Sequence, residues 1–272
     1  MAAMTKLWAV LALALLVAGC QSVQTTRAGA VGIDRTQRMS QLVSESDLRQ
    51  GAVQAYREVL GKERAKGQLN ADAALTARVR TIAARLIPAT AAFRSDAPGW
   101  QWEVNVIQSD ELNAWCMPGG KIAVYSGLVT RLGLNDAEIA AILGHEIAHA
   151  LREHARERAA ERLTADLLLG GAAAIIGGGT IGRDLADLAY NVTVAMPNSR
   201  GHEIEADRMG VELAARAGFD PRAAISVWQK MARAGGSRPP EFLSTHPSAD
   251  TRLRDLEIYA ARVMPFYEAT RP

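Results

Sequence analysis

A predominantly helical fold with a small antiparallel β-sheet, an α+β arrangement, is predicted by three features of this 272-residue sequence. Alanine and leucine dominate while aromatic residues make up only 5%, a composition that suits packed helices. A strong helical pattern runs from Asn135 to about Ala160, with Ile139, Ile142, Leu143, Ile147 and Ala150 on one face. Two short strand signals, Gln101 to Gln108 and Lys121 to Tyr125, lie upstream of it. Met117-Pro118-Gly119-Gly120 is the turn between the arms of a hairpin.

The elements follow in order. Lys6 gives a positive start, Leu7 to Val17 is an apolar core, and Leu16-Val17-Ala18-Gly19-Cys20 looks like a bacterial lipobox. The apolar core is too short for a spanning helix, which needs about twenty residues. Residues 1–19 are therefore expected to be a lipoprotein signal peptide, with Cys20 the acylated N-terminus. Gln21 rather than Asp follows, which resembles an outer-membrane address facing the periplasm. Residues 20–39 read as the lipidated end and a short polar tether, and residues 40–265 as one domain. Lipidation of Cys20 leaves Cys116 without an intrachain partner, so Cys116 reads as a small buried apolar residue.

Asn135 and Glu138 form a capping-box pattern at the start of the long helix. Within it stands His145-Glu146-Ile147-Ala148-His149, an HExxH motif. Histidines four apart are offset by about 40° and about 6 Å of rise, so both imidazoles can converge on one small cation. Glu146 can reach a water at the same ion and act as general base. Zinc, one per chain, is the expected ion, because imidazoles and a carboxylate suit a site that keeps one position open. His154, five residues past His149, is rotated about 140° away and reads as structural.

A third ligand has to come from elsewhere. Gly201 to Asp207 opens a second helical stretch reaching about Ala217, in which Glu203 and Asp207 share a face and Glu205 points away. Glu203 as ligand, with Asp207 accepting the spare N–H of His145, makes a coherent pair. A solvated acidic helix face would carry the same spacing.

HExxH followed by Glu203-Ile204-Glu205-Ala206-Asp207 resembles the metallopeptidase family of HtpX and the CAAX prenyl proteases, peptidase family forty-eight. Asn113 to Ile122 with Tyr125-Ser126-Gly127-Leu128, and Ser244-Thr245-His246-Pro247-Ser248 with Arg252, are similar to two further segments of that family. Ser40 to Leu60 is similar to the opening of its periplasmic lipoprotein members, of the LoiP and BepA kind. The resemblance implies a zincin-like metallopeptidase domain with zinc on His145, His149 and Glu203, Glu146 as base, and Asp207 behind the ligands. It brings His246 and Arg252 to the cleft, either to stabilise an oxyanion or, for His246, to close on the metal as a fourth ligand and hold the enzyme latent. It also implies unfolded or misassembled envelope proteins as substrates, and outer-membrane assembly machinery as a partner.

A net charge of +2 with both signs interspersed argues against nucleic acid. The apolar, glycine-rich stretch 167–181 reads as a mobile hairpin or lid over the cleft, or as a membrane-dipping element. Asn191 to Arg200 reads as flexible, and Pro239-Pro240 as a loop delivering His246. An exposed strand edge beside the metal helix would bind substrate in extended form. Two rival functions share these residues: a chaperone-like assembly factor with a latent metal site, and a zinc hydrolase acting on cell-wall peptides.

Overall fold

The computed structural model describes residues 20–41, 43–170, 181–234, 241–247 and 251–270. The expected signal peptide, residues 171–180 of the glycine-rich stretch, Pro239-Pro240 and Ser248 lie outside the described residues. Strands β1 (Cys20–Val23) and β2 (Gln37–Ser40) pair antiparallel. Helices α1 (Glu45–Ala65) and α2 (Ala73–Ala89) follow, α1 opening on a capping box between Ser44 and Asp47. Then come β3 (Glu103–Ile107), β4 (Ala114–Met117) and β5 (Lys121–Tyr125), ordered β3-β5-β4. The β4–β5 hairpin is antiparallel, with Met117 opposite Lys121. β3 joins β5 in parallel, so this sheet is mixed. The hairpin turns where Gly120 has φ +83°, and a side chain there would run into the Trp102 ring.

The rest is helical: α3 (Ser126–Arg131), α4 (Asp136–Leu151), α5 (His154–Gly170), α6 (Ile181–Tyr190), α7 (Arg200–Arg216), α8 (Ala223–Ala234), α9 (Glu241–Thr245) and α10 (Arg252–Glu268). α4 is the central element, buried from Glu138 to Leu151 and packed against α2, α7, α8 and β4. Asn191–Ala195, expected to be flexible, continues α6 as a π-helical turn with Val192 buried. Among the described residues no helix is long and apolar enough to cross a membrane.

Two departures from the sequence pattern have the same cause. The helix expected to reach Ala160 stops at Leu151, and Glu153 takes φ +53° before α5 begins. Local propensity favours continuing through this charged run, but long-range bonds hold the break. Arg152 is buried and donates to Glu205, Thr26 Oγ1 and the carbonyl of Arg35. Glu153 accepts from Arg94 at 2.7 Å and from Arg156 at 3.1 Å. The polar composition of 21–38 predicts a tether; instead this arm folds onto the body. Val31 and Ile33 enter the core, the Val31 amide donates to Glu212, and Arg35 bridges Glu157 and Glu205 at 2.8 Å each.

The crossing of α4 and α7 depends on two glycines facing each other. A Cβ on Gly144 would lie 2.8 Å from the Gly210 carbonyl oxygen, and one on Gly210 would lie 2.8 Å from the His145 nitrogen. Backbone meets backbone here. Gly210→Ala is therefore expected to destabilise the fold by about 1–3 kcal/mol through overpacking, read from the midpoint of urea unfolding.

A second expectation concerns acid. Burial raises the Glu157 carboxyl, but His202 and Arg35 outweigh it and hold it well below its ordinary value of 4.5. A depressed folded pKa contributes stability that is present above 4.5 and lost as pH falls. Glu157→Gln should lower stability at neutral pH and flatten the decline that otherwise sets in below about pH 5. Equal pH slopes in both proteins would remove Glu157 from the account.

Candidate metal centre and catalytic cleft

α4 places two histidines and a carboxylate, and α7 two carboxylates, at their crossing. His145, Glu146 and His149 come from α4, and Glu203 and Asp207 from α7; all are buried. Ser199 caps α7 through the His202 amide, which fixes the turn carrying Glu203. His145 Nε2 lies 3.0 Å from His149 Nε2 and 3.4 Å from Glu203 Oε2. His149 Nε2 lies 3.3 Å from Glu203 Oε1. His246 Nδ1 completes the group, 3.2 Å from His145 Nε2 and 3.0 Å from Glu203 Oε1. One ligand atom from each of the four falls within 4.8 Å of the others. Donors bound to zinc at about 2.0–2.1 Å in a tetrahedron stand about 3.3–3.4 Å apart. The four residues fit one such ion.

The hydrogen bonds behind these residues fix the tautomers. Asp207 lies 2.9 Å from His145 Nδ1, so that nitrogen carries the proton and donates it to the carboxylate. Glu205 lies 2.9 Å from His154 Nε2, which likewise donates. His154 Nδ1 is then an acceptor, and His149 Nδ1 donates to it at 2.8 Å. Both Nε2 atoms are left with lone pairs aimed at each other across 3.0 Å. Lone pairs so close repel unless a proton, which the raised His145 pKa can supply, or a metal cation lies between them.

The surrounding charges agree. Burial keeps His149 and His154 well below the usual imidazole value, favouring the neutral form that binds metals. His145 is opposed by burial, but Asp207 and Glu203 hold it up at about 10, so the site favours positive charge at this point. Glu203 is opposed by burial too, yet His246 and His145 hold it well below the ordinary carboxylate value. Burial raises Glu146, and its Oε1 has no hydrogen-bond partner.

Arg252 is placed differently from an oxyanion donor. Its Nη2 donates to Glu203 at 3.0 Å and Asp207 at 2.7 Å, and its guanidinium lies 3.2 Å over the Trp228 ring. It therefore braces the ligand carboxylates. His246 stacks on Phe242 at 4.2 Å, and its Nε2 stands 3.5 Å from Glu146 Oε1. Asn198 holds it in place, its Nδ2 3.3 Å from His246 Nδ1 and its amide donating to the Thr245 carbonyl at 2.9 Å.

The cleft over Glu146 and His149 is closed in by Cys116, Pro118, Thr193, Asn198 and His246. It has about 20 Å³ of room, enough for one water. β4 is the outer strand beside α4, as expected, but its residues are all buried and the π-turn packs against it. The edge expected to be exposed is covered. Cys116 is buried, with its thiol pushed up by burial. Sequence reasoning missed Asn198, Arg158 and the carboxylate role of Glu205. His154 was legible as structural only, and His149 leans on it.

Asp207→Asn and His154→Ala are each expected to weaken zinc binding about 10–100-fold, while His149→Ala abolishes it. Competition against a zinc-chelating dye reads all three. Unchanged affinity in His154→Ala would exclude the relay.

The sequence profile of Peptidase family M48 matches residues 73–260, more than half of the chain. The chain is 37% identical over 163 residues to "Mitochondrial metalloendopeptidase OMA1" of Arabidopsis thaliana, covering 60% of this chain and 32% of that protein. The protein of that name in Schizosaccharomyces pombe is 35% identical over 58% of this chain and 46% of its own. "Beta-barrel assembly-enhancing protease" of Yersinia pestis is 32% identical over 213 residues, 74% of this chain and 42% of that protein. The chain thus spans less than half the length of these relatives.

Proposed function

The chain belongs to peptidase family M48, and we propose that it is a zinc metalloendopeptidase acting on unfolded or misassembled proteins of the bacterial cell envelope. The convergence of His145 Nε2, His149 Nε2 and Glu203 on one point, with tautomers set for a cation, carries this reading. When bound there, zinc supplies Lewis acidity, polarising a scissile carbonyl and easing the loss of a proton from water. Glu146 takes that proton and later delivers it to the leaving amine. Burial raises its pKa, which favours holding the proton between the two halves of the task. Asp207, His154 and Arg252 keep the ligands oriented.

His246 stands where a fourth ligand would, and catalysis requires an open position. The arrangement supports a latent resting state, relieved when His246 moves aside. The envelope setting is supported by the lipobox ending at Cys20 and by a relative named for β-barrel assembly. A lipid anchor in the outer membrane, and contact with assembly machinery, belong to the same proposal. The closed cleft also favours a second reading, a chaperone-like holder whose metal site stays latent.

Degradation of unfolded casein by the soluble form beginning after Cys20 separates the two. Cleavage with zinc, abolished by a chelator and reduced at least about 1,000-fold by Glu146→Gln, is expected. His246→Ala should raise the rate by relieving latency. A chain that suppresses aggregation equally with Glu146→Gln and cuts nothing, with or without His246, is a holder.

A further inference from the structure

Among the described residues the buried arginines are Arg152, Arg158 and Arg252. Arg152 is paired with Glu205, and Arg252 with Glu203 and Asp207. Arg158 has no such partner at ion-pair distance; Glu203, Glu146 and Glu161 favour its charge only from farther off. It is 4% exposed, and its Nε and Nη1 are buried without a hydrogen bond. Burial depresses it only to about 10, so it keeps its charge at neutral pH. An unpaired buried guanidinium is strongly unfavourable, and such a group in a native fold calls for an explanation.

Its surroundings supply one. Arg158 lies one turn into α5 and lines the same cleft as Glu146 and His149. Three other side chains on that lining carry buried atoms without partners: Glu146 Oε1, Thr193 Oγ1, from the π-turn, and Asn198 Oδ1. A guanidinium and a hydroxyl together match a carboxylate, which accepts from both. The Asn198 carbonyl oxygen would accept an N–H of the same substrate residue.

We propose that Arg158, with the Thr193 hydroxyl, forms a subsite beside Glu146 that binds a carboxylate of the peptide substrate. The inference rests on the peptidase reading. Its carboxylate has two sources, an acidic side chain next to the scissile bond or the free C-terminus of a chain cut near its end.

The test uses the full chain with zinc and matched peptides: Glu against Gln beside the cut, and free acid against amide at the C-terminus. The wild type is expected to favour the carboxylate form by about tenfold or more in kcat/KM, mainly through KM. Whichever pair shows the preference names the source. Arg158→Met should collapse that ratio to near one, Arg158→Lys should keep part of it, and Thr193→Val should reduce it. Thermal melting checks each fold; if Arg158→Met does not fold, the Thr193→Val ratio decides. Binding of fluorescent Glu and Gln peptides to Glu146→Gln gives a second readout, expected to favour Glu until Arg158→Met is added. Cleavage with no preference in the wild type overturns the subsite and leaves the peptidase standing. So does an equal loss of kcat on every peptide in Arg158→Met, which would place Arg158 on the oxyanion. Preferential binding with no cleavage of any peptide, in the wild type and in His246→Ala alike, upholds the subsite and removes the peptidase reading.

Discussion

A histidine and a glutamate on different helices can share one small cation only if the two backbones nearly touch. Gly144 and Gly210 meet that constraint, each leaving room only for the other's backbone. Because Gly144 immediately precedes His145, the closest approach of α4 and α7 falls beside the first ligand. Asp207 and Glu203 then reach across from positions one and two turns earlier on α7, respectively. A wider crossing, at the usual 8–10 Å, would strand the short Asp207 carboxylate out of reach of His145 Nδ1. The spacing in HExxH fixes two ligands along one helix; the glycine pair fixes the third across the gap.

A layer of buried charge under that crossing ties the ligands to the rest of the chain. Glu205 accepts from His154, Arg152 and Arg35 at once. It therefore connects the tautomer of His149, the break between α4 and α5, and the N-terminal arm. Removing one partner from such a network leaves another charge buried and uncompensated, which costs about 3–5 kcal/mol. The network specifies a geometry more than it adds stability. That geometry keeps His149 Nε2 unprotonated and aimed at the metal.

Much of this site was legible in the sequence because helical spacing groups its residues, with the family resemblance deciding for Glu203 and Asp207, whose spacing also suits a solvated face. His145 and His149, Glu203 and Asp207, and the Asn135–Glu138 cap all involve residues three or four apart. What was not legible depends on partners distant in the chain. The charged run from Arg152 to Arg162 reads as a helix leaving the core, yet Arg152, His154 and Arg158 are buried: Arg152 and His154 because their partners lie on the arm and on α7, Arg158 because it lines the cleft. Glu205 does point away from the metal, as its position on the helix requires. That direction led inward, to three cationic or imidazole partners, and not to solvent. The arm's polar composition likewise concealed Val31 and Ile33, two apolar residues sufficient to seat it.

The closed cleft bears on what such an enzyme would select. In this structure His246, Asn198 and the π-turn fill the space beside β4, so a peptide adding to that strand has to displace them together. A competent state populated at about 1% weakens apparent affinity about 100-fold. Only a substrate with many backbone contacts to offer overcomes that. A folded protein presents few free strand edges. An unfolded chain offers extended backbone of any length, and each added hydrogen bond works against the closure. On the proposed reading, selectivity for unfolded protein follows from the energy needed to open the cleft, with carboxylate recognition at Arg158 acting only after the chain has entered.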